Sequence, residues 1–123
     1  MIIGNIHENW HKGCYIASYK ETIADEFGNE VNFYGKPEFF RFNIQPVSGS
    51  TDIALYGENV SKMQKTIVSM KEYGGWFKEG DKAYLDGLEP TEEVEGTYGA
   101  NANYKIVSVR PQNTVIAIYF EKI

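Results

Sequence analysis

Two alternating segments at the end of the chain carry its clearest hydrophobic pattern. Residues 104–109 and 114–123 alternate with the period of two that is typical of β-strands. In the second segment the side chains divide between two mainly apolar faces, with Ile116, Ile118 and Phe120 on one and Val115, Ala117 and Tyr119 on the other. A strand that is apolar on both faces is predicted to lie at the centre of a sheet.

The residues between these two segments have turn chemistry. They read Arg110-Pro111-Gln112-Asn113, and proline suits the second position of a type I turn because its ring holds φ near the required value. We therefore expect a terminal β-hairpin that turns at these four residues.

Three segments in the first half of the chain are also predicted to be strands. Residues 14–20 alternate, and residues 30–34 follow a Phe27-Gly28-Asn29 turn in which glycine and asparagine tolerate positive φ. Residues 38–46 place Phe40, Phe42 and Ile44 on one face and Arg41, Asn43 and Gln45 on the other. Burying each large apolar side chain is worth about 1.5 to 3 kcal/mol, so this strand should contribute strongly to the core.

The middle of the chain is less regular. Ser50 or Thr51 is placed to cap a short helix over residues 52–56, which Gly57 would end. Residues 62–73 fit a helix by spacing, but their β-branched residues favour a strand, which is our prediction. Trp76 and Phe77 follow Gly74-Gly75 and belong either to the core or to a contact surface.

Residues 86–103 are predicted to form a long acidic loop. The segment contains Glu89, Glu92, Glu93 and Glu95 among residues of low apolar content, with Tyr98 near its tip. Structureless loops longer than about 12 to 15 residues are usually functional or disordered. Two interpretations stay open, a loop that becomes ordered against a basic partner and a solvated insertion without a role.

Composition indicates one β-rich domain. The chain has 123 residues, of which 15% are aromatic, and aromatic side chains favour half-buried pleated surfaces. The formal net charge of −5 disfavours non-specific attraction to nucleic acid phosphates. No apolar run approaches the roughly 18 residues of a membrane span, and the N-terminus lacks the layout of a signal peptide. We expect a soluble intracellular protein with no membrane partner.

Cys14 is the only cysteine, so an intramolecular disulfide is excluded. This composition fits a reducing compartment. A free cysteine behaves chiefly as a small, often buried hydrophobe, and Cys14 is predicted to be a structural thiol.

The N-terminal region contains one motif with chemical content. His7-Glu8-Asn9-Trp10-His11 matches H-E-x-x-H, in which two histidines one helical turn apart bind zinc and the glutamate activates water. We interpret the match on His7, Glu8 and His11 as coincidental, because Gly13 follows at once and an isolated helix shorter than about 12 residues is marginal in water. Residues 1–12 are predicted to be an N-terminal arm. No catalytic residue, cofactor or metal is predicted.

The order of features along most of the chain resembles a known group of proteins. The features that carry the likeness are Asn43-Ile44-Gln45-Pro46-Val47-Ser48-Gly49, a short helix ending at Tyr56-Gly57, Glu79-Gly80-Asp81-Lys82-Ala83-Tyr84-Leu85, and a hairpin opened by Tyr104-Lys105-Ile106-Val107. They resemble the small head-tail connector proteins of long-tailed phages, also called head-completion, head-closure or stopper proteins. The segment 86–103 is longer than the pattern of that family.

The resemblance implies a mainly β fold, a small antiparallel β-barrel with long loops and one short helix. It also implies a structural, non-enzymatic protein of phage or prophage that forms a ring beneath the portal, seals the DNA channel and docks the tail. Its partners would be portal or adaptor proteins, tail proteins and copies of itself, with no specific nucleic acid. It would be found in the virion, and in the host cytoplasm during assembly.

The candidate interface residues are Trp76, Phe77, Glu92, Glu93 and Tyr98. One alternative is a tail-terminator or tail-completion protein, although such folds carry longer helices than this pattern predicts. Another is an oligonucleotide-binding barrel for single-stranded nucleic acid, which would stack bases on outward aromatic side chains.

Overall fold

The computed structural model describes residues 11–24, 26–91 and 98–123. In these residues nine strands dominate the fold: β1 Lys12–Ala17, β2 Tyr19–Ala24, β3 Glu30–Tyr34, β4 Glu38–Phe42, β5 Gln45–Pro46, β6 Met63–Ser69, β7 Lys82–Tyr84, β8 Tyr104–Gln112 and β9 Val115–Lys122. Two short α-helices, α1 Ser50–Tyr56 and α2 Met70–Tyr73, and a 3₁₀ helix, Gly57–Lys62, lie between strands. The predicted mainly β fold is confirmed.

Seven of the described strands form one antiparallel sheet, in the order β4-β1-β7-β8-β9-β6-β5. The remaining two, β2 and β3, pair with each other in a separate two-stranded ribbon. The large sheet is therefore the body of the domain, and the ribbon is an attachment to it.

The large sheet is curled into a half-barrel, because its two edge strands are neighbours in the sequence. Only Asn43 and Ile44 separate the end of β4 from the start of β5. Consecutive Cα atoms are 3.8 Å apart, so this link spans at most about 11 Å, whereas a flat sheet would put its edges about 29 Å apart at 4.8 Å per strand. The Thr66 hydroxyl on β6 donates a 3.0 Å hydrogen bond to the Asn43 carbonyl and holds this seam.

Strand β9 is buried on both faces, as its pattern predicts. On one face Ile116, Ile118 and Phe120 belong to the main core inside the half-barrel. On the other face Ala117 and Tyr119 form a second, smaller core with Val47 and Met63. Strands β8 and β6 pair with its two edges, which confirms the predicted central position.

The prediction of a single strand over residues 14–20 is wrong. The chain changes sheets at Ser18, so that β1 belongs to the half-barrel and β2 to the ribbon. The Ser18 carbonyl accepts a 2.9 Å hydrogen bond from the Gly35 amide, which closes the base of the ribbon. Lys12, predicted to end the N-terminal arm, is the first residue of β1, and residues 1–10 of that arm lie outside the described residues.

Residues 38–46 keep the predicted inward face but not the predicted continuity. Phe40, Phe42 and Ile44 are buried as expected, and Arg41 is exposed. The segment is nevertheless divided into β4 and β5, because the chain crosses the seam from one edge of the sheet to the other at Asn43.

The terminal hairpin turns two residues later than predicted. Pro111 lies within β8 and pairs with Ile116, and Asn113, at φ 54°, begins the two-residue connection to β9. On its other side β8 pairs with β7 only through Tyr104 and Lys105. The end of β8 is thus an edge, where a proline without an amide donor is tolerated.

Two predictions in the middle of the chain need correction. Helix α1 starts at Ser50 and its N-cap is Gly49, so neither Ser50 nor Thr51 caps it, although Gly57 ends it at φ 59° as predicted. Residues 62–73 are not one strand, since β6 is followed directly by α2. The Ser69 hydroxyl accepts a 3.4 Å hydrogen bond from the Glu72 amide and starts that helix.

Candidate interaction surfaces

An aromatic cluster joins β4 to the segment that follows β6. Its members have ring centroids between 5.2 and 6.5 Å from their neighbours, and most of the pairs meet edge to face. They are Phe40, Phe42, Tyr73, Trp76 and Phe77. Edge-to-face pairs add about 0.5 to 1.5 kcal/mol beyond burial, so the cluster fixes this side of the half-barrel.

Trp76 and Phe77 have different surroundings, although they are adjacent in sequence. Phe77 is 6% exposed and belongs to the main core, whereas Trp76 is 51% exposed. Of these two predicted interface residues, only Trp76 presents a large apolar surface to solvent.

A cleft of about 200 Å³ lies beside this cluster, between the half-barrel and the base of the ribbon. One part of its lining is aromatic and consists of Phe40, Trp76 and Phe77. Another part is formed by the exposed charged residues Lys20, Lys36 and Glu38. Lys20 is the second residue of β2, and Lys36 lies two residues after the end of β3, so both lie at the base of the ribbon. The cleft thus combines an apolar wall with a net positive rim.

The β2–β3 ribbon, residues 19–24 and 30–34, projects from the half-barrel. All six residues of β2 are exposed, and at about 3.3 Å per residue this strand extends roughly 20 Å. The turn at its tip contains Phe27, which is 79% exposed, and Gly28, at φ 84°. The ribbon therefore carries an aromatic side chain far from its attachment point.

Asp81 fastens the base of the ribbon to the half-barrel. Its Oδ1 accepts a 3.1 Å hydrogen bond from the Tyr19 amide, and its Oδ2 accepts a 3.0 Å hydrogen bond from the Lys78 amide. Burial raises the pKa of Asp81, and these two donors act in the opposite direction. One buried carboxylate thus orients the first residue of the ribbon.

Tyr98 lies beside the ribbon base rather than at the tip of a free loop. Its backbone forms an isolated antiparallel bridge with Tyr34. The next residue, Gly99, donates a 2.8 Å hydrogen bond from its amide to the Tyr84 hydroxyl. The other predicted interface residues of this segment, Glu92 and Glu93, lie outside the described residues.

Side-chain amides connect the two described limbs of segment 86–103. The Asn103 side chain exchanges two 2.9 Å hydrogen bonds with the backbone of Leu85. Farther along, Asn101 donates to the Glu89 carbonyl at 3.0 Å and accepts from the Thr91 amide at 3.2 Å. Residues 89–91 and 98–103 are therefore held side by side.

A shallow aromatic groove lies on the outer face of β1 and β4. Tyr15 and Phe39 meet edge to face with centroids 5.1 Å apart. They line a depression of about 650 Å³ with Leu88, and Tyr15 also lines a neighbouring one of about 340 Å³ with Pro37 and Tyr98. Lysines and carboxylates both border the groove, so its charge is balanced.

Most of the H-E-x-x-H match lies outside the described residues. His11 is the one motif residue within them, and its side chain is exposed. Among residues 11–24, 26–91 and 98–123, no three His, Cys, Asp or Glu side chains are grouped closely enough to hold a metal ion.

Cys14 lies in the main core. Burial raises the pKa of its thiol to about 12, so the thiol is protonated at neutral pH and is a poor nucleophile.

In the described part of the chain, no helix has the length and apolar content needed to cross a membrane.

No protein-family model matches the sequence, and no curated protein matches it either. One solved structure is similar in fold, the solution structure of protein SF1141 from Shigella flexneri 2a. The match has a TM-score of 0.55 and 13% sequence identity, and it covers 90% of each chain. At this identity the likeness shows a shared fold.

Sequence reasoning missed the ribbon and the cleft. The signal for the ribbon was present, because residues 19–24 mix polar and apolar side chains on both faces of the strand, which is typical of a strand with no core side. The cleft had no such signal, since its lysines and its aromatic wall are brought together only by the fold.

Proposed function

We propose that this protein is a structural assembly subunit of the head-tail connector class. It forms a ring beneath the portal of a phage or prophage, seals the DNA channel and docks the tail. The proposal begins from the feature order described in the sequence, and it requires no chemical step by the protein.

The observation that carries the proposal is that one small half-barrel bears both a projecting ribbon and, separately, an aromatic cleft. The ribbon exposes Phe27 at its tip, and the cleft exposes Trp76. Exposed aromatic residues at such places are typical anchors of protein–protein interfaces. Two different surfaces on one subunit suit a heterologous interface, which generates rings when its rotation closes.

Charge supports the same role. The net charge is −5, and a negatively charged ring repels DNA phosphates from its lining. A channel seal benefits from this repulsion, because packaged DNA then does not adhere to the protein that must release it.

The oligonucleotide-binding alternative has little support in the geometry. It needs outward aromatic side chains beside a positively charged path for the nucleic acid backbone. Phe40 and Phe42 point into the core, and the outward groove of Tyr15 and Phe39 is bordered by equal numbers of lysines and carboxylates. Labelled single-stranded oligonucleotides provide the test, and micromolar binding that weakens steeply with salt would favour this alternative.

The decisive experiment for the proposal is co-sedimentation with phage heads arrested before tail joining. Heads from the phage or prophage that encodes the chain should bind it in a fixed ratio to the portal. Heads that lack the portal are the matched control and should not bind it. Absence of binding to portal-bearing heads and to isolated tails would overturn the proposal.

A further inference from the structure

We propose that the ribbon tip of one copy, centred on Phe27, inserts into the cleft of a second copy, beside Trp76. This contact rests on the proposed function in that it supplies the interface for the proposed ring. It names the two surfaces that would meet and the residues that would anchor them.

Position is the first argument. The cleft lies at the base of the ribbon and Phe27 lies at its far end, so one subunit presents the two surfaces at opposite ends of a strand that is roughly 20 Å long. When two copies make this contact, the ribbon tip of one copy and the cleft of the other are still available for further copies. Further copies then add head to tail until the ring closes.

Size is the second argument. The cleft has a volume of about 200 Å³ and an aromatic wall, whereas an apolar cavity of about 150 Å³ is large enough for benzene. The volume of the cleft is therefore sufficient for a phenylalanine ring. Trp76, half exposed at its wall, would be covered by the incoming ring and would lose the solvent contact that it has in a single copy.

Charge is the third argument. Near the tip the ribbon carries Glu26 and Glu30, which are both exposed, and the cleft carries Lys20 and Lys36. Glu38 also lines the cleft, so its rim keeps a net charge of one positive unit. The acidic tip and the basic rim are complementary, which favours encounter and fixes orientation.

The contact is small, because one turn enters one cleft. Interfaces below about 1,200 Å² are typical of weak or transient complexes. We therefore expect weak association in solution that is strengthened when several copies are held together at one portal.

Complementation between two defective variants provides the test. Phe27→Ser removes the tip anchor and keeps the cleft, whereas Lys36→Glu reverses a charge of the cleft and keeps the tip. Each variant alone should self-associate at least about tenfold more weakly than the wild type. Mixed together, they retain one intact tip and one intact cleft, so they should form a 1:1 dimer that does not grow further.

Two measurements are needed. Sedimentation velocity gives the size limit of the mixture, and ¹⁵N-labelled Phe27→Ser chain titrated with unlabelled Lys36→Glu chain should show a saturating shift of the Trp76 indole N–H signal. Leu55→Ser is the matched control, since Leu55 is also an exposed large apolar residue but lies on helix α1, outside the ribbon and the cleft. This control should associate as the wild type does.

Failure of this contact and failure of the proposed function give different results. No Trp76 shift up to about 1 mM, or equal association by Phe27→Ser alone, overturns the tip-and-cleft contact. If the wild-type chain still binds portal-bearing heads in that case, the proposed function stands. If the two variants form a dimer but the wild-type chain does not bind portal-bearing heads, the contact stands and the connector role is wrong.

Discussion

The Tyr119 hydroxyl donates a 2.8 Å hydrogen bond to Asp52 Oδ1, which joins the central strand β9 to helix α1 across 67 positions of sequence. The other carboxylate oxygen, Asp52 Oδ2, accepts a 2.9 Å hydrogen bond from Lys65 Nζ. Asp52 is thereby held by β6 and β9 at once. One short helix, with its single buried residue, is fixed to the second core by these two bonds.

Tyr119→Phe should destabilise the protein by about 1.5 to 3 kcal/mol, the range for a hydrogen bond to a charged group. The ring still fills its place, so the loss reports the hydroxyl alone. Tyr56→Phe is the matched control, since the Tyr56 ring packs against Tyr119 at 5.2 Å, and it should change stability by less than about 0.5 kcal/mol. Urea unfolding measures both, and equal losses would contradict the role given to the hydroxyl.

Acid should remove the contribution of Asp52. Burial raises the pKa of this carboxyl, but hydrogen bonds from Lys65 and Tyr119, together with the positive charges of Lys65 and Arg110, hold the pKa below its usual value. A folded-state pKa below the unfolded value gives stability that is complete above the unfolded pKa and lost as the pH falls through the folded one. The stability gap between wild type and Asp52→Asn should therefore shrink below about pH 4.

Urea midpoints of both proteins between pH 7 and pH 3 provide the measurement. Asp81 has a raised pKa, so its contribution to the free energy of unfolding grows as the pH falls. Asp81 is present in both proteins, so this contribution cancels in the difference between them. A gap that stays constant over this range would mean that Asp52 is not stabilised as a carboxylate.

Phe42→Ala should cost about 3 to 5 kcal/mol, the range for truncating a buried phenylalanine. Phe42 is 5% exposed and packs in the main core. Phe39 is 56% exposed, and Phe39→Ala is expected to cost about 1 kcal/mol or less. Denaturant unfolding compares the two, and a loss below 1 kcal/mol for Phe42→Ala would show that β4 faces the other way.

Gly99→Ala should destabilise more than Gly28→Ala. Both glycines have positive φ, 106° and 84°, so each alanine costs about 1 to 2 kcal/mol in backbone strain. At Gly99 the added Cβ would also lie 2.8 Å from Tyr34 Cδ2, whereas at Gly28 nothing lies within 4 Å. Thermal unfolding should show a further loss of about 1 to 3 kcal/mol for Gly99→Ala. Equal losses would mean that Tyr34 moves aside freely.

The sequence predicts most of the half-barrel because its strands carry period-two patterns. The inward face of β4 and the two buried faces of β9 follow from Phe40, Phe42 and the alternation of residues 115–120. Strand ends were predicted less well. The break at Ser18 and the crossing at Asn43 depend on which sheet or edge the chain joins next, and local patterns do not contain that information.

The candidate surfaces were predicted only in part. Trp76 and Phe77 have the same local chemistry, but tertiary packing places one outside and the other in the core. From the sequence, Phe27 was predicted only to be part of a turn. Its place at the end of a projecting ribbon depends on the length of the paired strands, which the residues next to it do not indicate. Lys20 and Lys36 are brought together by pairing of the ribbon strands, which no spacing rule predicts.

The two-residue link at Asn43 and Ile44 also bears on aggregation. An open sheet normally offers two edges on which foreign strands can grow. Here one edge, β5, has two residues and includes Pro46, which lacks an amide donor. The other edge, β4, ends where the link begins, so a foreign strand would meet the chain itself at Phe42. The short β5 with its proline and the direct link from β4 thus protect these two edges of the half-barrel from pairing with a foreign strand.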